Sequence, residues 1–186
     1  MENIDRKIRV YSLPGVTSTR CFRKLYGVID NSTIVLEWLD TTLAELRYKP
    51  NDIGTHSLIA SVIRAAITSC VVLVGSKYLN IGNILPFSIG SDSITAKVGD
   101  LGLVVPVGEP INAQPYAMRA PEGFLGQACA EWSQVWAEEG IKTVEMSNQL
   151  RDLLRLMLIH NPDKRSSASS VLASREPQDL ENLVSV

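Results

Sequence analysis

The sequence predicts an α+β fold, and three observations carry that prediction. Residues 21–40 hold two runs rich in β-branched and aromatic residues on either side of Asp30-Asn31-Ser32, the pattern of an antiparallel hairpin. From about Thr55, the residues Leu58, Val62, Ala65 or Ala66, and Cys70 recur at helical spacing in a long apolar segment. Between Ser147 and His160, Leu150, Leu153, Leu154, Met157 and Leu158 fall at i, i+3, i+4, i+7 and i+8. That stripe predicts an amphipathic helix, capped by Ser147 and ended by Asn161-Pro162.

The other elements follow in chain order. Asn3 to Leu13 predicts a short helix with Ile4, Ile8 and Val10 inward, stopped by Pro14-Gly15. The first hairpin strand contains Phe22, Leu25, Val28 and Ile29, and the second runs from Thr33 to Leu39. Asp40-Thr41-Thr42 reads as the cap of a helix through Leu46, broken by Pro50, Asn51 and Gly54. The long helix from Thr55 is expected to end before Gly75. Ile84-Leu85-Pro86-Phe87 and Ile94 to Val98 read as short strands, with Gly90-Ser91-Asp92 turning between them. Pro106, Pro110 and Pro115 mark residues 103–119 as a long loop, and Ala128 to Ala137 predicts a short helix. Ser166 or Ser167 can cap a last helix carrying Ala168, Val171 and Leu172.

A chain of 186 residues, 45% hydrophobic and 20% charged, can bury one sizeable core and belongs with folded rather than disordered proteins. A net charge of −2 supplies no attraction for nucleic acid or an anionic membrane, so neither is an expected partner. Cys21, Cys70 and Cys129 are widely spaced with no CxxC pair, which indicates neither a zinc knuckle nor a disulfide framework. They read as reduced thiols of an intracellular protein, cytoplasmic or nuclear. The charged start, Met1 to Lys7, lacks the apolar core of a secretory signal. The uncharged segment Ala65 to Ser76 is shorter than the ~20 residues of a membrane span and reads as core.

One stretch carries candidate chemistry. An apolar segment runs into Gly99-Asp100-Leu101-Gly102, where an aspartate between glycines can project its carboxylate while the backbone turns. Such a carboxylate can hold a metal ion at a phosphate site, and the same residues also read as an ordinary Asp-Gly-type turn.

Several motifs fall in a recognisable order. They are Leu25 to Ile29 with Ile34 to Leu39, then the long apolar helix, Asn83-Ile84-Leu85, Gly99-Asp100-Leu101-Gly102, a proline-bearing loop, Met118-Arg119-Ala120-Pro121-Glu122, and Asn161-Pro162-Asp163-Lys164-Arg165. The series resembles a protein kinase domain over most of residues 20–175, closest to divergent kinase-like sequences of the kind common in fungi. The resemblance implies a single partial domain, with about 1–40 as a remnant N-lobe hairpin and 41–186 as a shortened, mostly helical C-lobe. It implies Leu36 at the gatekeeper position and the backbone of Glu37 and Leu39 against adenine. It implies Asn83 and Asp100 as metal ligands, Mg²⁺ and ATP as cofactors, and an ion pair between Glu122 and Arg165.

The departures bear on activity. No G-x-G-x-x-G loop and no Val-Ala-Ile-Lys strand occurs, and the chain reads as beginning after the first three N-lobe strands. Lys7 and Lys24 stand in the wrong context for the phosphate-binding lysine, and a C-helix remnant at 2–13 offers Glu2 or Asp5 as its acid. Counting back from Asn83 puts Ser76, Lys77 and Tyr78 at the His-Arg-Asp positions, and Tyr78 cannot act as a carboxylate base. Neither His56 nor His160 is placed to replace it. Ser133 stands where the F-helix usually has aspartate, and that helix is cut short by Glu138-Glu139-Gly140. Each lost electrostatic contact to the transferring group costs roughly 2.7–4 kcal/mol of barrier. The expected function is therefore a catalytically impaired kinase-like module that binds a protein partner, holding ATP and Mg²⁺ weakly at best and assigned no catalytic residue. The alternatives are an active kinase that transfers the ATP γ-phosphate to protein Ser/Thr, and a truncated gene product without independent activity.

Overall fold

Pro14, at which the sequence stops one helix, starts another. In the computed structural model, α1 spans Glu2–Tyr11 and α2 follows at Pro14–Ser18. Proline lacks the N–H that the first helical turn leaves unpaired in any case, so it opens α2 at no cost in hydrogen bonds. The structure describes residues 2–42, 53–80, 86–89, 94–102, 104–107, 119–128, 130, 133, 136 and 148–182. Val10 and Tyr11 are buried, whereas Ile4 and Ile8 are half-buried.

The hairpin forms as expected, with shorter strands. β1 (Leu25–Asp30) and β2 (Thr33–Leu36) are antiparallel, with Leu25 opposite Leu36 and Val28 opposite Ile34. At the turn, the Asp30 carboxylate accepts from the Ser32 amide and hydroxyl, both at 2.7 Å. Phe22 lies outside β1 and makes a parallel bridge to Val98. Glu37 to Leu39 have left the strand, because Glu37 turns its own polar groups back onto Arg23 and Lys24.

Thr41–Thr42 is β3, not a helix cap. It pairs with β5 (Pro86–Ile89), which pairs with β6 (Ile94–Ala96) in an antiparallel sheet of order β3-β5-β6. Two β-branched threonines suit a strand better than a first helical turn. The expected helix through Leu46, the turn at Gly90-Ser91-Asp92 and the Ser147 cap lie outside the described residues.

Between these pieces runs α3, Ile53–Gly75, two residues earlier than expected at its start and ending at Gly75 itself. Within it, Ser57–Gly75 has a mean hydropathy of 2.1 and is long and apolar enough to cross a membrane, though half of that stretch is buried in the fold. Its apolar residues point two ways. Val62, Ala65 and Leu73 join Val10, Tyr11, Phe22, Val98 and Leu101 in one core cluster. Ala60, Ile63, Ile67 and Cys70 join the second, with Leu150, Leu153, Met157 and Val171. The single stripe expected from Leu58, Val62, Ala65 or Ala66, and Cys70 is therefore too narrow, because residues on two sides of the helix enter two different clusters.

After Lys77, β4 (Tyr78–Asn80) pairs antiparallel with β7 (Val104–Pro106), inside the segment expected as loop. Val104 and Val105 favour a strand, and Pro106 sits at its end, where a missing donor is tolerated. The later helices are α4 (Pro121–Phe124), α5 (Asn148–Met157), α6 (Ala168–Ala173) and α7 (Arg175–Asn182), with a 3₁₀ turn at Pro162–Lys164. Leu150, Leu153, Leu154 and Met157 are buried on α5 as their spacing predicts. Ser167, rather than Ser166, caps α6 by accepting from the Ser170 amide. Helix α7 was not read from the sequence; its Pro177 falls in the first turn, where proline is compatible with a helix. The architecture is thus α+β, mixing helices with small antiparallel sheets.

Candidate functional site

The Gly99–Gly102 turn is fixed from both ends by buried apolar residues. Val98 and Leu101 are fully buried in the first core cluster, so the backbone between them must fold outward and carry Asp100 with it. Asp100 Oδ1 accepts from the Gly102 amide at 2.9 Å, an Asx-type turn. The flanking segment is tied to the hairpin: Val98 N donates to Cys21 O at 2.6 Å, and Arg23 N donates to Val98 O at 3.0 Å.

Helix α1 closes over this turn. Lys7 and Tyr11 stand at i and i+4, on one helical face. The Lys7 ammonium lies 3.2 Å from Asp100 Oδ1, with the lysine side chain 26% and the aspartate 46% exposed. The Tyr11 hydroxyl donates to the Gly99 carbonyl at 2.5 Å. Burial, followed by the Asp100 charge, pushes the Tyr11 phenol up to about 12.

Glu37 is the second polar centre. Its carboxylate meets Lys97 Nζ at 2.6 Å and accepts from the Lys24 amide at 3.0 Å. Its backbone amide donates to Lys24 O at 2.8 Å, and its carbonyl accepts from Arg23 Nε at 2.5 Å. Burial pulls the Glu37 carboxyl upward, but the Lys97 and Lys24 hydrogen bonds and charges outweigh it and hold it below the usual range. A carbonyl has two lone pairs, so the Glu37 oxygen retains one acceptor direction. Leu36 is half-buried against the first cluster, and Leu39 is buried. A cavity of about 170 Å³ lies beside this region, lined by Tyr11, Phe22, Arg23, Lys24 and Tyr26 among others. It is smaller than the ~300 Å³ lower bound of ordinary small-molecule pockets.

A third cluster is built on Glu122. Arg165 NH1 donates to Glu122 Oε1 at 2.9 Å and NH2 to Oε2 at 3.4 Å, with both side chains shielded from solvent. Arg165 Nε donates to Ile159 O at 2.7 Å, and its guanidinium lies 5.0 Å from the Trp136 ring centroid. Ser133 Oγ donates to Glu122 Oε1 at 2.8 Å. Burial pushes Glu122 up, but the Arg165 and Ser133 hydrogen bonds and the Arg165 charge prevail and hold it low. This is a charge-assisted fork, further held by the Ser133 hydroxyl on the carboxylate and the Ile159 carbonyl on the guanidinium.

No protein-family model matches this chain, and no curated protein does. The site is therefore read from its own geometry. Asp100, Glu37 and Leu36 lie around one core cluster, joined through Cys21–Lys24 and Val98. Asn83 lies outside the described residues. His56 has no described side chain, and exposed His160 meets Trp136 edge-on at 5.2 Å between centroids. Asp5 is exposed, and Tyr78 is a half-buried strand residue. A magnesium ion needs several oxygens in near-octahedral array. Among the described residues, no group of three or more His, Cys, Asp and Glu side chains converges, and the carboxylate at Asp100 faces an ammonium. Asp100, the described member of the expected Mg²⁺ pair, is thus engaged by a cation of the chain itself.

Sequence reasoning missed three participants. Lys7 and Lys97 meet carboxylates far along the chain, and only the i, i+4 spacing of Lys7 with Tyr11 hints at a shared face. Ser133 is legible only as a departure from an aspartate position, whereas in the fold it is a hydrogen-bond donor to Glu122.

Proposed function

We propose that this chain is a kinase-like binding module that does not itself transfer phosphate. The observation that carries the reading is the buried Glu122–Arg165 fork. Two residues 43 positions apart, which the kinase resemblance pairs, meet at hydrogen-bond distance. The hairpin leading to Glu37, and α1 resting on the Asp100 turn, occur in the order the resemblance requires and support the same reading.

Tyr78 offers no carboxylate at the base position that the resemblance assigns it. The small cavity beside Glu37, about 170 Å³, supports weak nucleotide affinity there. Recognition of a protein partner is supported by the hairpin region, where Tyr26, Ile29 and Trp38 are 67%, 69% and 83% exposed. Aromatic and aliphatic surface of this kind is what protein interfaces cover.

Thermal melting with and without Mg·ATP, run beside a phosphotransfer assay, tests the proposal. The expected result is a cooperative melt, little shifted by Mg·ATP, and no turnover. Turnover that disappears in Asp100→Ala would establish an active kinase instead, and a non-cooperative melt would establish a chain without an independent fold.

A further inference from the structure

We propose that Lys7 is the resident cation of the Asp100 turn, and that α1 occupies Asp100 Oδ1 and the Gly99 carbonyl, two oxygens a divalent ion could otherwise use. The proposal concerns the same turn as the kinase-like reading and rests on that reading only for the expectation of a metal there. The turn offers an ion the Asp100 carboxylate and the Gly99 carbonyl. Each is engaged by α1: Asp100 Oδ1 by the Lys7 ammonium at 3.2 Å, and Gly99 O by the Tyr11 hydroxyl at 2.5 Å. The inner side of the carboxylate is filled as well, since Oδ1 also accepts from the Gly102 amide.

Among the described residues, the groups facing Asp100 are therefore an ammonium and an amide donor, with the Tyr11 hydroxyl turned to the adjoining carbonyl. None supplies an oxygen ligand to a shared ion. One positive charge matched to one carboxylate is a balanced arrangement, whereas a divalent ion there would meet one carboxylate and a repelling ammonium. The anchoring is one-sided in a useful way. Tyr11 is 2% exposed and holds α1 in place, while Lys7 remains partly exposed and can be changed without opening the core.

Binding of Mn²⁺, followed by electron paramagnetic resonance without nucleotide, tests this on the full chain. Wild type and Lys7→Arg are expected to show no site. Lys7→Gln should gain affinity by at least about tenfold, because a neighbouring positive charge is removed, and Lys7→Glu should gain more. Both gains should vanish when combined with Asp100→Asn. Equal behaviour of wild type and Lys7→Gln, whether both bind or neither does, would overturn the proposal. So would a gain that survives Asp100→Asn. Circular dichroism of each variant checks the fold; should Lys7→Gln fail to fold, Lys7→Glu against Lys7→Arg decides in the same way. Because the readout uses neither ATP nor turnover, its failure is distinct from failure of the kinase-like reading.

Discussion

A buried guanidinium and carboxylate stabilise each other only as a pair. Removing one side of the Glu122–Arg165 fork strands the other charge in the interior, which typically costs about 3–5 kcal/mol. Glu122→Ala should lower stability by that order in urea unfolding. Ser133→Ala should cost less, about 1 kcal/mol, since Arg165 still satisfies the carboxylate. The pH dependence follows from the same groups. Glu122 and Glu37 are held below their ordinary values, so their contribution is complete above the unfolded value of about 4.3 and is lost as pH falls through the folded values. Tyr11 works in the opposite sense. Its phenol is raised to about 12, so its contribution is complete below the unfolded value near ~10 and is lost as pH rises between them. Denaturation midpoints measured across both limbs should fall on the acid side and again above about pH 10, and Tyr11→Phe should flatten the alkaline limb. Glycines give a further contrast. A Cβ at Gly15 would sit 2.9 Å from Val72 Cγ1, where α2 crosses α3, so Gly15→Ala should destabilise by about 1–3 kcal/mol. Gly75 has nothing within 4 Å, and Gly75→Ala should be neutral or stabilising by up to about 1 kcal/mol.

At the scale of elements, the junction from α3 to β4 is the informative one. Lys77 has a φ of 63°, the left-handed conformation that ends many helices and that costs a residue with a Cβ about 1 kcal/mol. Lys77→Gly should therefore raise the melting temperature measured by circular dichroism, since glycine adopts this conformation without the Cβ penalty. The resemblance aligned this residue with the arginine of a catalytic loop, yet here it acts as a helix terminator leading into a strand. Local patterns did foretell α5, the hairpin and the Ser167 cap, because each is decided by neighbours within a few residues. They did not foretell β3 and β7. Three residues or fewer carry too little periodicity to register, and these strands exist because β5 and β4 lie beside them. The same holds for the site. Asp100 and Glu122 stood out in the sequence, whereas their partners Lys7 and Ser133 acquired roles only through contacts that link distant segments.

For the whole molecule, the decisive arrangement is two core clusters sharing α3. Leu73 belongs to one and is fully buried, and Ile67 belongs to the other at 2% exposure. Leu73→Ala and Ile67→Ala should each cost about 2–5 kcal/mol. Because both clusters draw on the same rod, each substitution should shift a single unfolding transition seen alike by circular dichroism and by tryptophan fluorescence. Separate transitions would show that the clusters melt independently.

The sharing also sets a timescale. A backbone amide in the middle of α3 cannot meet solvent by fraying, because neither flank can open without exposing a core. Deuterium should enter Val62 to Leu73 only through global unfolding, making this the last protected segment of the chain and a direct reporter of its full stability. Amides of the outlying hairpin, from Leu25 to Leu36, should exchange first, through local openings that leave the rod intact.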